Sequence, residues 1–168
     1  MELVVIRHAI AAEQADWAAT GKPDSERPLT GRGRRLMKRN AKGIAKAVPG
    51  LHTVASSPFV RAIETADIVA AAYRNLEVVT VEALASGGSR EEVLRWLRTR
   101  DENERVALVG HEPDLGRLVG WLVGGKNAGA IEMRKGGACL IRFPGHPEPG
   151  QGQLHWFAPP SLLRKLAG

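Results

Sequence analysis

Three short apolar runs constrain this chain more than any other feature. They are Leu3-Val4-Val5-Ile6, Val54-Ala55 with Ser56, and Val106-Ala107-Leu108-Val109. Each is continuous rather than alternating, the pattern of a strand covered on both faces. Such strands need helices above and below them, and the intervening segments supply them. Thr30 is an N-cap for a helix running to about Val48, stopped by Pro49-Gly50. Ser57-Pro58 reads as cap and first turn of a helix to about Tyr73. Ser89-Arg90-Glu91-Glu92 is a capping box opening a helix to about Thr99, and Asp114 caps another to Val123. Leu76–Val81 alternates as a strand. Ala138–Phe143 and Gln153–Ala158 read as two closing strands, and Leu162–Leu166 as a short last helix. Residues 10–28, with Gly21, Pro23 and Pro28, read as a long excursion or loop. The expected fold is α/β: a three-layer α/β/α sandwich with a mostly parallel central sheet, in one domain over residues 1–168.

The 168 residues are enough to bury a core without staples. One cysteine, Cys139, excludes an internal disulfide and a cysteine-built zinc site. No apolar run reaches the ~18 residues of a membrane span. Met1-Glu2-Leu3-Val4-Val5-Ile6 does not open as a secretory signal. The expectation is therefore a cytoplasmic protein that does not enter membranes. The net charge of +6 points toward anions. Aromatic residues are 5% of the chain and no nucleic-acid motif is present, so base stacking is not expected.

In sheets of this kind ligands bind beyond the carboxyl ends of the strands. The first strand ends in Arg7-His8. The second ends in Ser56-Ser57-Pro58, with Arg61 one turn into the next helix. The strand at 106–109 ends in Gly110-His111-Glu112. Each residue alone fits a surface role, but their joint placement at three strand ends does not. A neutral imidazole is a good nucleophile toward phosphorus. Two guanidiniums grip a phosphoryl group through charge-assisted hydrogen bonds. A second imidazole donates to oxygens that gain charge in the transition state. The arginines supply the positive charge, so neither metal nor cofactor is required. His52, His146 and His155, the four tryptophans and Cys139 read as surface or packing residues.

These residues fall into recognisable motifs. Val4-Val5-Ile6-Arg7-His8-Ala9 resembles the Arg-His-Gly signature of the histidine phosphatase superfamily. Arg27-Pro28-Leu29-Thr30-Gly31-Arg32-Gly33 is similar to its PLT-x-x-G segment, and Ser56-Ser57-Pro58-Phe59-Val60-Arg61-Ala62-Ile63-Glu64-Thr65-Ala66 to its SSP-x-x-RA-x-x-TA block. Val109-Gly110-His111-Glu112-Pro113 resembles the second histidine block. The short length resembles the compact SixA-type phosphohistidine phosphatases, as does the closing segment Gly152–Pro160. The resemblance implies a phosphoglycerate mutase-like fold. It also implies a transiently phosphorylated His8, and a phosphate pocket of Arg7, Arg61 and His111 with Arg27 nearby.

Two departures matter. Ala9 stands where the signature has Gly, at a cost if the backbone there has positive φ. Superfamily members that act on alcohol phosphates carry a carboxylic acid in the loop after the third strand. Here that loop is Glu82-Ala83-Leu84-Ala85-Ser86-Gly87-Gly88, and its one carboxylate, Glu82, comes early. An alkoxide needs a proton to leave. An imidazole, with a conjugate acid of pKa about 6.5, needs little help. The expected substrate is thus phosphohistidine on a protein. The alternative is a small phosphate monoester or anhydride with Glu82 or Glu112 as acid, and the rival from another class is a non-catalytic phosphoprotein-binding module. The basic run Arg32, Arg34, Arg35, Lys38, Arg39 and Lys42 reads first as a solvated helix face. Docking of an acidic protein and steering of small anions are its other readings.

Overall fold

A six-stranded sheet forms the middle of the molecule, in the order β3-β2-β4-β1-β5-β6. The strands are β1 (Glu2–Arg7), β2 (Thr53–Ser56), β3 (Val78–Thr80), β4 (Arg105–Gly110), β5 (Ala138–Arg142) and β6 (Gln153–Ala158). The computed structural model describes residues 1–168 apart from Asn75 and Asn127. β1, β2, β3 and β4 pair in parallel, while β5 and β6 add an antiparallel edge. The sheet is mostly parallel, as the continuous apolar runs require.

Successive residues of a strand face opposite sides of a sheet, and β1 uses both. Val4 and Ile6 enter one core cluster, with Met37, Ala41, Ile44, Ala62, Ala66, Val69 and Leu163. These come from α2 (Gly31–Ala47), α3 (Val60–Ala72) and α6 (Pro160–Ala167). Leu3 and Val5 enter the other, with Val93, Leu94, Leu97, Leu115, Leu118 and Leu122 from α4 (Arg90–Leu97) and α5 (Asp114–Gly124). All four β1 side chains are fully buried. Among the described residues no helix is long and apolar enough to cross a membrane.

Local signals held at α2 and α4. Thr30 Oγ1 accepts the Gly33 N–H (2.9 Å) and Ser89 Oγ accepts the Glu92 N–H (3.2 Å). Several boundaries differ from expectation; α6, for one, starts two residues earlier, at Pro160. α3 starts at Val60, because Ser57 Oγ accepts the Phe59 N–H (3.2 Å) and Phe59 is extended. The strand expected over Leu76–Val81 shrinks to Val78–Thr80, the three residues that pair with β2. Asp114 is the first residue of α5 rather than its cap, and its Oδ2 accepts the Gly87 N–H (2.8 Å). Residues 10–28 are not a plain loop. They hold α1 (Gln14–Ala18) and a 3₁₀ turn at Asp24–Glu26, and they close on themselves where Ala11 bridges Leu29.

Candidate active site

The carboxyl ends of β1, β2 and β4 meet at one cleft. His8 N–H donates to Gly110 O (3.0 Å) and Ser57 N–H to Val109 O (2.9 Å), so the residues after all three strands are laced together. The cleft has a volume of about 310 Å³ and is lined by Arg7, His8, Arg27, Arg61, His111 and Glu112, among others. Glu13, Gln14 and Asp24 form one wall, so residues 10–28 stand beside the cleft. Ser86 and Lys135 complete the rim.

The His8 ring is fixed by its own neighbour. Its Nδ1 lies 2.7 Å from Ala9 O, and a carbonyl only accepts, so Nδ1 carries the proton. The lone pair is therefore on Nε2. Burial is the main cause that lowers the His8 pKa to about 3, with His111, Arg61 and Arg7 adding to it. The ring is neutral at any physiological pH. Ala9 itself carries no strain, since Arg74 is the one non-glycine residue with positive φ among those described. Its N–H donates to Thr65 Oγ1 (3.0 Å), tying β1's end to α3.

His111 sits 5.1 Å from His8, ring centre to ring centre. Its Nε2 is 2.8 Å from Ser57 Oγ. That oxygen also accepts the Phe59 N–H (3.2 Å); where its hydroxyl donates to Nε2, the ring proton lies on Nδ1. Nδ1 is buried and has no hydrogen-bond partner among the described residues. Burial first, then Arg61, lowers the His111 pKa to about 4.

The two arginines are equally constrained. Arg7 Nη1 donates to Met133 O (2.6 Å). Arg61 is buried, with its guanidinium 4.9 Å from the centre of the Phe59 ring. Its Nη1 donates to Asp24 O (2.8 Å) and its Nη2 to Asp24 Oδ2 (2.9 Å). Nε of Arg7 and Nε of Arg61 are buried with no acceptor among the described residues. Three buried nitrogens around one cleft, two of them guanidinium donors, thus lack partners among the described residues, a pattern that suits a phosphoryl group. Of the first turn of α3, Arg61 is the residue that lines the cleft.

Arg27 also reaches the cleft. Its Nε donates to Asp24 Oδ1 (2.7 Å) and its Nη1 to Ala12 O (2.8 Å). Asp24 therefore bridges Arg27 and Arg61. Burial tends to raise its carboxyl pKa, but the two guanidiniums outweigh that and hold it below the ordinary carboxylate range. Sequence reasoning missed Asp24, Ser57's hydroxyl and Lys135. A carboxylate three residues before Arg27 was the available signal for Asp24. Nothing in the sequence pointed to Lys135.

The two acid candidates part company. Glu82 opens a 3₁₀ turn, is exposed and is not among the residues lining the cleft; Ser86 of the same loop is. Glu112 does line the cleft, half-buried, and its Oε1 accepts the Met133 N–H (3.1 Å). Burial raises its pKa, with that hydrogen bond opposing.

Comparison with known proteins fits this geometry. The model of the histidine phosphatase superfamily (branch 1) matches residues 3–86, and the chain belongs to that superfamily. An uncharacterised protein of Picosynechococcus sp. is 35% identical over 146 residues, covering 84% of this chain and 85% of the relative. Among solved structures, the protein histidine phosphatase SixA complexed with tungstate superposes with a TM-score of 0.79 at 24% identity, covering 96% of this chain and 98% of that one. A candidate phosphohistidine phosphatase SixA from Agrobacterium tumefaciens gives 0.74 at 21%, covering 93% and 96%. Phosphoserine phosphatase (H9A mutant) from Entamoeba histolytica, in complex with phosphoserine, gives 0.66 at 17%, covering 96% and 98%. The fold is the compact one that SixA has.

Proposed function

We propose that this protein is a phosphatase that removes phosphate from protein phosphohistidine through a covalent phospho-His8 intermediate. His8 Nε2 attacks phosphorus as the P–N bond to the substrate imidazole breaks; that ring, protonated on its other nitrogen, takes the electron pair of the bond and leaves as a neutral imidazole. The His8 Nδ1–H, held by Ala9 O, steadies the positive charge that develops on the ring. Arg7, Arg61 and the His111 Nδ1–H receive the equatorial oxygens. Arg27 acts through Asp24, which aligns it with Arg61. Water then attacks phosphorus, the P–Nε2 bond breaks, and inorganic phosphate leaves.

The observation that carries the substrate class is the loop after β3. It brings Ser86, not Glu82, to the cleft. An imidazole can depart without an acid there; an alkoxide cannot. The SixA-like fold is in keeping with the same class.

A second reading rests on Glu112. A half-buried carboxyl whose pKa is raised is a proton donor in waiting. It would serve release of an alcohol from a small phosphate monoester. One comparison decides between them: turnover of a phosphohistidine peptide and of a phosphate-ester panel by wild type, His8→Ala and Glu112→Gln. Fast loss of phosphohistidine, slow ester cleavage and little effect of Glu112→Gln uphold the proposal. Fast ester cleavage that Glu112→Gln lowers by about 10²-fold or more selects the second reading. Phosphopeptide binding with no turnover in wild type would leave only a binding module.

A further inference from the structure

α2 and α6 lie side by side on one outer face. At Gly43 a Cβ would stand 2.0 Å from Leu163 O, so the two backbones nearly touch. Arg164 Nη1 donates to Asn40 Oδ1 (3.2 Å) across the same seam. These two helices carry nine Lys and Arg and no acidic residue. The rest of the chain has 15 cations against 18 acids. The entire positive balance of the protein therefore resides in one pair of helices.

Within α2 the pattern is sharper still. Arg32, Arg35, Arg39, Lys42 and Lys46 are exposed and recur at alternating intervals of three and four residues. That spacing makes one straight stripe down a helix, about 21 Å long at 1.5 Å per residue. Arg34 turns aside to pair with Glu64 (2.5 Å), and Lys38 and Lys42 share a groove with Asp67 of α3. Like charges three and four residues apart disfavour a helix. Solubility is served as well by mixed signs, so it does not account for a single-sign stripe.

The stripe leads to the chemistry. Arg32 lines a small cavity together with Lys135 and Arg164, and Lys135 also lines the catalytic cleft. Beside it, α6 exposes Leu162 and Leu166, each 45% exposed and one turn apart. Cations flanking a few apolar anchors make a surface suited to a protein partner. Neither helix holds an aromatic residue on which bases could stack.

We propose that the α2/α6 face docks an acidic face of the protein that bears the phosphohistidine and guides it into the cleft; this rests on the phosphohistidine reading above. A small anion needs no 21 Å track, whereas an acidic protein surface is steered and oriented by one. The test is the triple variant Arg35→Glu/Arg39→Glu/Lys42→Glu, whose three positions are exposed and outside the cleft. Its substrates are a histidine-phosphorylated protein of net negative charge and free phosphohistidine. The variant should lose at least about tenfold in kcat/KM on the acidic phosphoprotein at low salt, together with most of the salt dependence. Its kcat/KM on free phosphohistidine should stay that of wild type, which also shows that it is folded. Equal rates on the phosphoprotein, or parallel loss on both substrates, overturns the docking claim.

Wild type that leaves both substrates intact removes the functional reading instead. Docking is then decided by binding of the same acidic protein, unphosphorylated. Salt-sensitive binding that the variant loses upholds the surface, and no binding overturns it. Tighter binding of duplex DNA or of phosphatidylserine vesicles than of the acidic protein, at the same salt, also overturns it.

Discussion

Both carboxylate oxygens of Asp24 are occupied, Oδ1 by Arg27 and Oδ2 by Arg61, and its carbonyl holds Arg61 a second time. An acid at the proposed phosphate site opposes the binding of an anion. Its place here is explained by alignment: beyond one backbone carbonyl each, Ala12 O for Arg27 and Asp24 O for Arg61, its carboxylate is what ties the two guanidiniums to one another. Asp24→Asn keeps one side-chain acceptor and removes the charge. It should lower kcat by about ten- to a hundredfold through misaligned arginines, while inorganic phosphate inhibits more tightly. An unchanged kcat would show that Asp24 positions nothing. His8 gives a companion expectation. With a free-enzyme pKa of about 3, it contributes no acidic limb to kcat/KM near pH 6.5. A pH profile on an acid-stable phosphate ester checks this, and a limb at pH 6.5 that vanishes in no other variant would contradict the buried, neutral ring. That Arg7, His8, Arg61 and His111 come together at one cleft was legible in the sequence, because each lies at or shortly after a strand end within a short motif. Asp24 was not, because its role depends on Arg61, which lies 37 residues away in the chain.

At the scale of elements, the PLT-x-x-G segment has a plain physical content. Thr30 caps α2, and Gly33 lets the helix start approach the chain after β1. A Cβ at Gly33 would stand 2.0 Å from Ile10 O. Gly33→Ala therefore pushes against the backbone that leaves His8 and Ala9. Overpacking of this sort costs about 1–3 kcal/mol, so the midpoint of urea unfolding should fall, and phosphatase turnover with it. The control is Gly31→Ala, where a Cβ meets only the end of the flexible Arg35 side chain, at 3.7 Å; equal effects of the two would refute the close-approach argument. Elements whose signals are local, such as α2 and α4 with their caps, could be read from the sequence almost to the residue. β3 could not, because its length is set by how much of β2 it pairs with. The start of α3 was likewise misplaced, since Ser57 spends its hydroxyl on Phe59 and His111 rather than on a helix cap. The first error came from pairing between segments and the second in part from the Ser57 contact with His111, 54 residues away, which local pattern does not record.

For the whole molecule, the buried histidine pair couples the site to stability. An unfolded histidine has a pKa of about 6.5, whereas His8 and His111 titrate at about 3 and about 4 in the fold. Between those values the unfolded chain binds protons that the folded one refuses. Stability is then complete above pH 6.5 and is lost as pH falls through the window toward 4 and 3. Each histidine contributes a slope of up to roughly 1.4 kcal/mol per pH unit in that window. Asp24 acts in the same direction at lower pH, because its carboxyl is held below the ordinary range, and Glu112, whose pKa is raised, works against both. Denaturant unfolding between pH 7.5 and 4.5 should therefore show a falling midpoint. His111→Gln should flatten the slope by about one proton's worth while leaving the order of the curves at pH 7.5 to packing alone. Saturating inorganic phosphate should shift the fall as well, because a bound anion beside the rings favours their protonated forms and offsets the burial that keeps them neutral. A midpoint independent of pH over that range would mean that the two rings are solvated, and that the cleft is not the dry, cationic pocket on which the proposed phosphoryl chemistry rests.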